Sequence, residues 1–450
     1  MSLPLRPSAA TSVSSRALLA RGFASPAVVA LAIYTFLLIS RLPELFPLIG
    51  LIRPIMLLTL LTVALAWALP LTQLGAVVAA PESRAALGMF ILVLAGVPTS
   101  YWPSETFNFG VMFFPKTLLF FFLLLYCIRS LKEFRCVVLA FVGSIAALEL
   151  GVIFLNVKER ARVTGSYDPN DLAFVMVCAI PVAVMLLQIE RGLWRHAMIP
   201  VVMLGLVAII MTKSRGGFIS LLVVGAIILA KLPSRVWLGS LGLLIAAIVV
   251  FSVFAPQSYW DRVGSMWQDA EAREEVGADG YVKEGFSPRW RLWMRGIDLM
   301  LEHPFLGVGA GAFAIAEGGE TFRDGGWRGY LGAHNSFIQV GAELGMLGIG
   351  LFVYLLYRTI RNYRMVIRTA GTRPHLRYHL WTAHGFETAT YGYIIAGSAL
   401  NQGFSAILYF LVGMSVVLKW RTLRDRAELD SGESRQPDAG GSVPWWKAPR

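Results

Sequence analysis

An all-α polytopic membrane protein of about twelve transmembrane helices is the fold the sequence predicts, and three observations carry that expectation. Of 450 residues, 56% are hydrophobic and the mean hydropathy is +0.62, far above the balance of a soluble domain. Apolar runs of roughly 17–25 residues, the length that crosses a bilayer core, recur along the chain. Lys and Arg collect in alternate connections between those runs, the asymmetry that orients membrane helices. The formal net charge of +12 therefore reports topology, and no nucleic-acid partner is expected, although the same excess on a soluble protein would suggest one.

In chain order the spans are expected near 26–40, 54–70, 85–101, 111–128, 136–155, 172–189, 197–212, 217–231, 236–254, 336–357, 383–399 and 404–419. The first 25 residues carry Arg6, Arg16 and Arg21 among Ser and Ala, like the n-region of a targeting signal. Because many apolar runs follow, an uncleaved first span is expected. With the N-terminus inside, the cytoplasmic segments hold Arg84; Arg129, Lys132 and Arg135; Arg191 and Arg195; Lys231 and Arg235; the run from Arg358 to Arg377; and a tail from Lys419. The chain thus divides into a bundle of about nine helices (1–254), a long external loop with an amphipathic helix (255–335), further membrane helices (336–420) and a disordered cytoplasmic tail (421–450). Cys127, Cys136 and Cys178 lie in or beside apolar runs without CxxC spacing and read as packing residues.

The exceptions to the charge rule carry the functional information. Lys158, Arg160 and Arg162, then Lys213 and Arg215, then Arg289, Arg291 and Arg295 all fall on the external side. Anion binding explains basic residues kept against the topological preference; anchoring to headgroups by snorkelling side chains is the alternative. In SPRWRLWMRGIDLMLEHPFLGVG, Leu292, Ile297, Leu299, Met300 and Leu301 describe an amphipathic helix at the interface, with Trp290 and Trp293 able to rest on lipid or stack on sugar rings.

The stretch from His303 to Phe352 is the centre of this pattern. It reads HPFLGVGAGAF, then a glycine-rich interval, then GAHNSFIQVGAELGMLGIGLF, so His334 sits where an external loop becomes a membrane helix. An imidazole there can take a proton near neutral pH and act as general base on a sugar hydroxyl, or it can simply cap the helix. Asn335, Gln339 and Glu343 recur every fourth residue as one polar stripe that must face the bundle interior and is expected to bind substrate, and Gly341 and Gly345 have the GxxxG spacing of a close helix approach. In TKSRGGF, Arg215 follows a membrane helix, with Gly216 and Gly217 leaving backbone room for a ligand. Its guanidinium can hold phosphate oxygens in bidentate fashion, which suits a diphosphate better than Lys213 does.

In RVTGSYDPNDLA, Asp168 to Asp171 reads as a turn and helix cap, and Arg162 upstream is the anion ligand that loop offers. Arg289 and Arg291 offer the same from the long loop. His375, His379 and His384 are spaced like metal ligands but lie in a cytoplasmic basic run, and no external Asp, Glu or His cluster has metal spacing, so neither a metal nor a cofactor is expected.

Together, SRGG after a membrane helix, HPFLGVGAGAF in a long external loop and HNSFIQVGAELGMLGIGLF opening the next span resemble the O-antigen ligase family, whose superfamily includes Wzy-type O-antigen and exopolysaccharide polymerases. The resemblance is concentrated in residues 162–357. It implies a GT-C-like glycosyltransferase of the bacterial inner membrane, with cytoplasmic termini and a periplasmic active site. Such an enzyme takes a glycan from an undecaprenyl-diphosphate carrier and passes it, without a metal ion, to lipid A core, another glycan or a protein. His334 matches the family's HN histidine, the general base, and Arg215 its SRG arginine; Arg162, Arg289 and Arg291 are the remaining positions for diphosphate ligands. Direct displacement would invert the anomeric centre. A membrane transporter of a small anion such as bicarbonate is the alternative, but a carrier places its charges near the bilayer midplane, whereas these arginines sit at one face.

Overall fold

A computed structural model describes residues 24–155, 167–232, 287–323, 331–371 and 373–430, with isolated positions at 238, 242 and 245. Every regular element among them is helical. The principal helices are α1 (Pro26–Ser40), α2 (Pro54–Trp67), α3 (Pro81–Ala95), α4 (Pro103–Cys127), α5 (Leu131–Leu155), α6 (Pro169–Leu186), α7 (Leu193–Met211), α8 (Arg215–Lys231), α9 (Ser287–Glu302), α10 (Phe313–Arg323), α11 (Ser336–Ala370), α12 (Arg377–Gly397) and α13 (Ala406–Asp430).

Six of these, α4, α5, α6, α7, α11 and α13, are long and apolar enough to cross a membrane. A seventh span results if α2 and Leu71–Ala79, bent by 96°, count as one. The chain is a multi-span membrane protein, but fewer described helices meet the criterion than the twelve spans read from sequence. The physical reasons are local. Helices α1 and α3 have 15 residues and α8 has 17, against the roughly 20 that a bilayer core demands. Helix α12 opens with the polar run RYHLWTAH. The span expected at 236–254 lies outside the described residues apart from the three isolated positions. The bend after α2 falls at Pro70, which lacks an amide hydrogen; Tyr126 Oη and Arg129 donate to the Leu69 and Pro70 carbonyls.

Helix α6 is the most enclosed of the candidate spans, with 83% of its apolar window buried. It packs on α7, α8 and α12, while α11 packs on α3, α9, α12 and α13. Large apolar side chains such as Leu60, Trp67 and Ile91 remain exposed on the outer surface, where lipid takes the place of a protein partner.

Two helices run further than the sequence suggests because charged side chains find partners. Helix α11, expected to end near 357, continues to Ala370. Arg358 Nε donates to Glu82 Oε1 at 2.9 Å, Asn362 Nδ2 donates to the same oxygen at 3.0 Å, and Arg364 pairs with Glu387. Helix α13 continues to Asp430 through the i,i+4 pairs Arg421–Asp425, Arg424–Glu428 and Arg426–Asp430, so residues 421–430 of the expected tail are helical; 431–450 lie outside the described residues. At that end of the bundle, too, Arg135 grips Glu190 through two nitrogens and Lys231 meets Glu387.

The amphipathic helix expected in the long loop is present as α9, but its apolar face is used by protein. Leu292 and Leu299 pack with Val308, Ala312, Phe313 and Ala316 against Ala333 and Ala342, forming a second, smaller core. Trp290 and Leu301 stay exposed. The GxxxG pair does not act as one helix-docking face. Gly341 lies under Met300 of α9, whereas Gly345 breaks α11, with φ 68° and ψ −167°. The freed backbone groups are taken up by the HPFLGVG loop: Met346 N–H donates to Pro304 O at 2.7 Å, Val308 N–H to Ala342 O and Gly309 N–H to Glu343 O.

Candidate functional site

One end of the bundle gathers the C-terminus of α1, the N-termini of α6, α8, α11 and α13, and the C-terminus of α12, and two clefts open there. The first to consider has a volume of about 210 Å³ and is lined by Asn170, Lys213, Ser214, Arg215, Gly216, Gly217 and Arg289, with Phe174, Ala396, Ala399 and Leu400.

The local sequence accounts for each wall. Asp168 caps α6: its Oδ1 accepts from Asn170 N–H at 2.6 Å and Asp171 N–H at 2.8 Å, and Asp171 returns a bond to Asp168 N–H, a reciprocal capping box with Pro169 at the first helical position. The turn and cap read from DPND therefore stand. Ser214 caps α8, accepting from Gly217 N–H at 3.1 Å, which puts exposed Arg215 at the first helical residue. Asn170 and Arg215 thus bring two helix N-termini, each the positive end of a peptide dipole, to one cleft beside three cationic side chains. The Gly-Gly pair is divided in its use. A Cβ on Gly217 would fall 2.4 Å from Ala173 Cβ, so this glycine serves the contact of α8 with α6, whereas Gly216 lines the cleft.

His334 is half-buried at the start of α11, with φ 47° in the left-handed region. Burial lowers its pKa below the ordinary imidazole value, the positive charge of Arg289 lowers it further, and Asp168 opposes them. His334, Arg289 and Asp168 are therefore electrostatic neighbours, and Arg289 in turn shares the cleft with Lys213 and Arg215. The imidazole is biased towards its neutral, proton-accepting form.

The polar stripe of α11 splits into three roles. Asn335 Oδ1 accepts from Phe337 and Ile338 N–H, capping the helix. Gln339 reaches a second cleft, described below. Glu343 is buried under the glycine loop, within bonding range of the Gly311 and Phe313 amides and of Gln339, and its Oε2 has no hydrogen-bond partner. Ser336, between them, holds the 397–402 turn by donating towards Gly397 O and Leu400 O and accepting from Gln402 N–H. Arg291, on α9, is half-buried and lines neither cleft; Arg162 lies outside the described residues. His303 is a loop residue, meeting Tyr101 Oη at 3.2 Å.

The second cleft, about 250 Å³, is bounded by Arg41, Tyr167, Asp171, Gln339, Asn401, Gln402 and Ser405 together with apolar Leu38, Phe109, Val175, Phe404, Ala406 and Ile407. Arg41 is the residue the sequence reading passed over. It ends α1 at φ 52°, lies over the Tyr167 ring at 5.3 Å and pairs with Glu44 at 3.1 Å. The signal was available, since the same charge alternation that singled out Arg215 places Arg41 on the external side.

Among the described residues no three His, Cys, Asp or Glu side chains are grouped as a metal site, and His379 instead meets Asp425 at 2.9 Å in the interior. Compared with known families, residues 200–353 match the family Wzy_C, described as O-antigen ligase. Arg215, Arg289, His334 and the broken part of α11 all fall inside the matched segment. No curated protein matches the chain.

Proposed function

From the premise that the chain is a member of the O-antigen ligase and Wzy superfamily, we propose that it transfers a glycan from an undecaprenyl-diphosphate carrier to an acceptor hydroxyl. In this reading it spans the bacterial inner membrane about twelve times, with cytoplasmic termini, a periplasmic loop at 255–335 and the two clefts on the periplasmic face. The observation that carries the proposal is the meeting of Lys213, Arg215 and Arg289 on one cleft, with His334 within the electrostatic reach of Arg289.

The diphosphate sits among the three cations and the two helix N-termini. Guanidinium groups bind its oxygens and stabilise the charge that grows as the anomeric C–O bond to phosphate breaks, the task a divalent cation performs in other glycosyltransferases. The acceptor hydroxyl attacks the anomeric carbon from the opposite face, its proton passes to the His334 imidazole, and undecaprenyl diphosphate leaves. The product bond has inverted configuration. Arg162 and Arg291 are second-rank candidates for the diphosphate. Asn335 positions His334 by fixing the start of α11, and Glu343 supports that helix from beneath.

Purified protein in liposomes, given a lipid-diphosphate-linked glycan and a panel of lipid A core, glycan and peptide acceptors, tests the reading. Transfer to one acceptor is expected, falling on the order of 10²-fold or more in both His334→Ala and Arg215→Ala. Undiminished transfer in these variants, or retention of the donor's anomeric configuration, rejects the assignment.

A further inference from the structure

We infer that the second cleft, between α1, α6, α11 and α13, is a saccharide-binding subsite that receives the acceptor sugar. Its role as acceptor site rests on the transferase reading; its capacity to bind a sugar ring does not. A sugar ring presents hydroxyls around its edge and C–H groups on its faces, and a site for it needs polar groups beside apolar walls. The cleft offers that mixture. Gln339, Asn401, Ser405 and Arg41 supply donors and acceptors, and Phe109 and Phe404 lie on its apolar side.

The side chains keep bonding capacity in reserve. Gln339 uses Oε1 to accept from Gly403 N–H at 3.3 Å and directs one amide hydrogen towards Glu343, which leaves its second amide hydrogen for a ligand. Phe109 and Phe404 are held edge to face with ring centroids 5.0 Å apart, so the apolar wall is preformed. At about 250 Å³ the cleft is large enough for a single sugar ring but not for a chain of them.

Its position relative to the cationic cleft favours an acceptor. The two clefts share α6 and the 396–402 turn as a partition, fastened where Gln402 Nε2 donates to Asp171 Oδ1 at 2.8 Å. Gln339 lies four residues after the cap Asn335, an axial rise of about 6 Å or slightly more than one helical turn, and His334 immediately precedes that cap. A hydroxyl bound here lies across that partition from the cationic cleft, and the displacement requires it to reach the anomeric carbon on the face away from the phosphate.

The experiment uses the full-length protein in detergent and saturation-transfer NMR with methyl glycosides of glucose, galactose and N-acetylglucosamine as probes. Saturation is expected to reach the ring protons of at least one glycoside. Binding should weaken about fivefold, the cost of one neutral hydrogen bond, in Gln339→Leu and also in Asn401→Ala, while each variant stays monodisperse. Inorganic pyrophosphate should not displace the glycoside, and Arg215→Ala should still bind it. No saturation of any probe by the wild-type protein overturns the inference, as does binding unchanged in both variants, displacement by pyrophosphate, or displacement by farnesol, which would give the cleft to an isoprenoid chain. Glycoside binding in a protein that transfers no glycan leaves the subsite standing and rejects the transferase reading; transfer without glycoside binding does the reverse.

Discussion

Replacing Gly345 by Ala should uncouple the loop that supports the site from the helix that carries it. The glycine has φ 68° and ψ −167°, a region essentially closed to residues with a Cβ, whose occupation costs about 1–3 kcal/mol. A Cβ built there would also lie 2.5 Å from Pro304 O, 2.8 Å from Pro304 C and 2.9 Å from Phe305 C. These are backbone atoms, so no rotamer change relieves the overlap; the loop must move and the Met346 N–H to Pro304 O bond at 2.7 Å is lost with it. Adding the strain to one broken, partly buried hydrogen bond gives roughly 3 kcal/mol. For a chain of this size that corresponds to an apparent Tm lower by about 3–6 °C. Gly350→Ala is the matched control. It lies in the same helix with nothing within 4 Å of a built Cβ, and alanine's better helix propensity should leave its Tm unchanged or slightly raised. Fluorescence-monitored unfolding in detergent measures both, and a Gly345→Ala protein that melts with the Gly350→Ala protein would refute the reasoning.

Four further outcomes follow from the geometry. On the proposed mechanism the transfer rate should hold at neutral pH and fall on acidification, because His334 as base must be unprotonated and its pKa lies below the ordinary value near 6.5. Arg289→Gln removes one cause of that depression, so the acid limb of the pH–rate profile should move to higher pH; an unmoved limb separates His334 from the titration. Arg215→Lys keeps the charge but not the bidentate fork, and should lose on the order of tenfold in kcat/KM for the lipid-diphosphate donor while Arg215→Ala loses more. Glu82→Ala strands the largely buried Arg358 and Asn362 side chains at the end of the bundle away from the clefts; a cost of about 3–5 kcal/mol should appear as a lower Tm and poor recovery from membranes. His334→Gly should be the more stable of two inactive variants, melting above His334→Ala, since glycine accepts φ 47° without the roughly 1–2 kcal/mol that a side chain adds there.

What could be read from the sequence was what local chemistry decides. Asp168 and Pro169 announced a helix start because a carboxylate cap followed by proline has few other uses, and α6 begins there with both halves of the capping box in place. The apolar run after His334 and the amphipathic pattern of residues 287–302 likewise appear as helices. The convergence of Arg215 with Arg289 depends on where α9 folds back, which no spacing encodes. Gly345 was misread for a related reason: a glycine four residues after another looks the same whether it admits a neighbouring helix or breaks its own, and only the partner at Pro304 distinguishes the two. Arg41 was legible by the charge rule but hidden behind Pro43 and Glu44, which look like ordinary span-ending residues.

The four non-glycine residues with positive φ among those described are Arg41, Arg53, Lys213 and His334, all cationic or potentially so. Arg41 lines one cleft, Lys213 lines the cationic cleft, and His334 is linked to that cationic cleft through Arg289. Each of these three lies at a helix boundary, where the chain must reverse or enter a new helix within a few residues. A glycine would make such turns at lower conformational cost, and this chain uses glycine freely, at 43 positions. Keeping a long basic or imidazole side chain there instead accepts strain of about 1–2 kcal/mol per site, and stability alone gives no reason for it. Three such exchanges at one end of the bundle are what a site that needs cationic groups and a base at its rim would require.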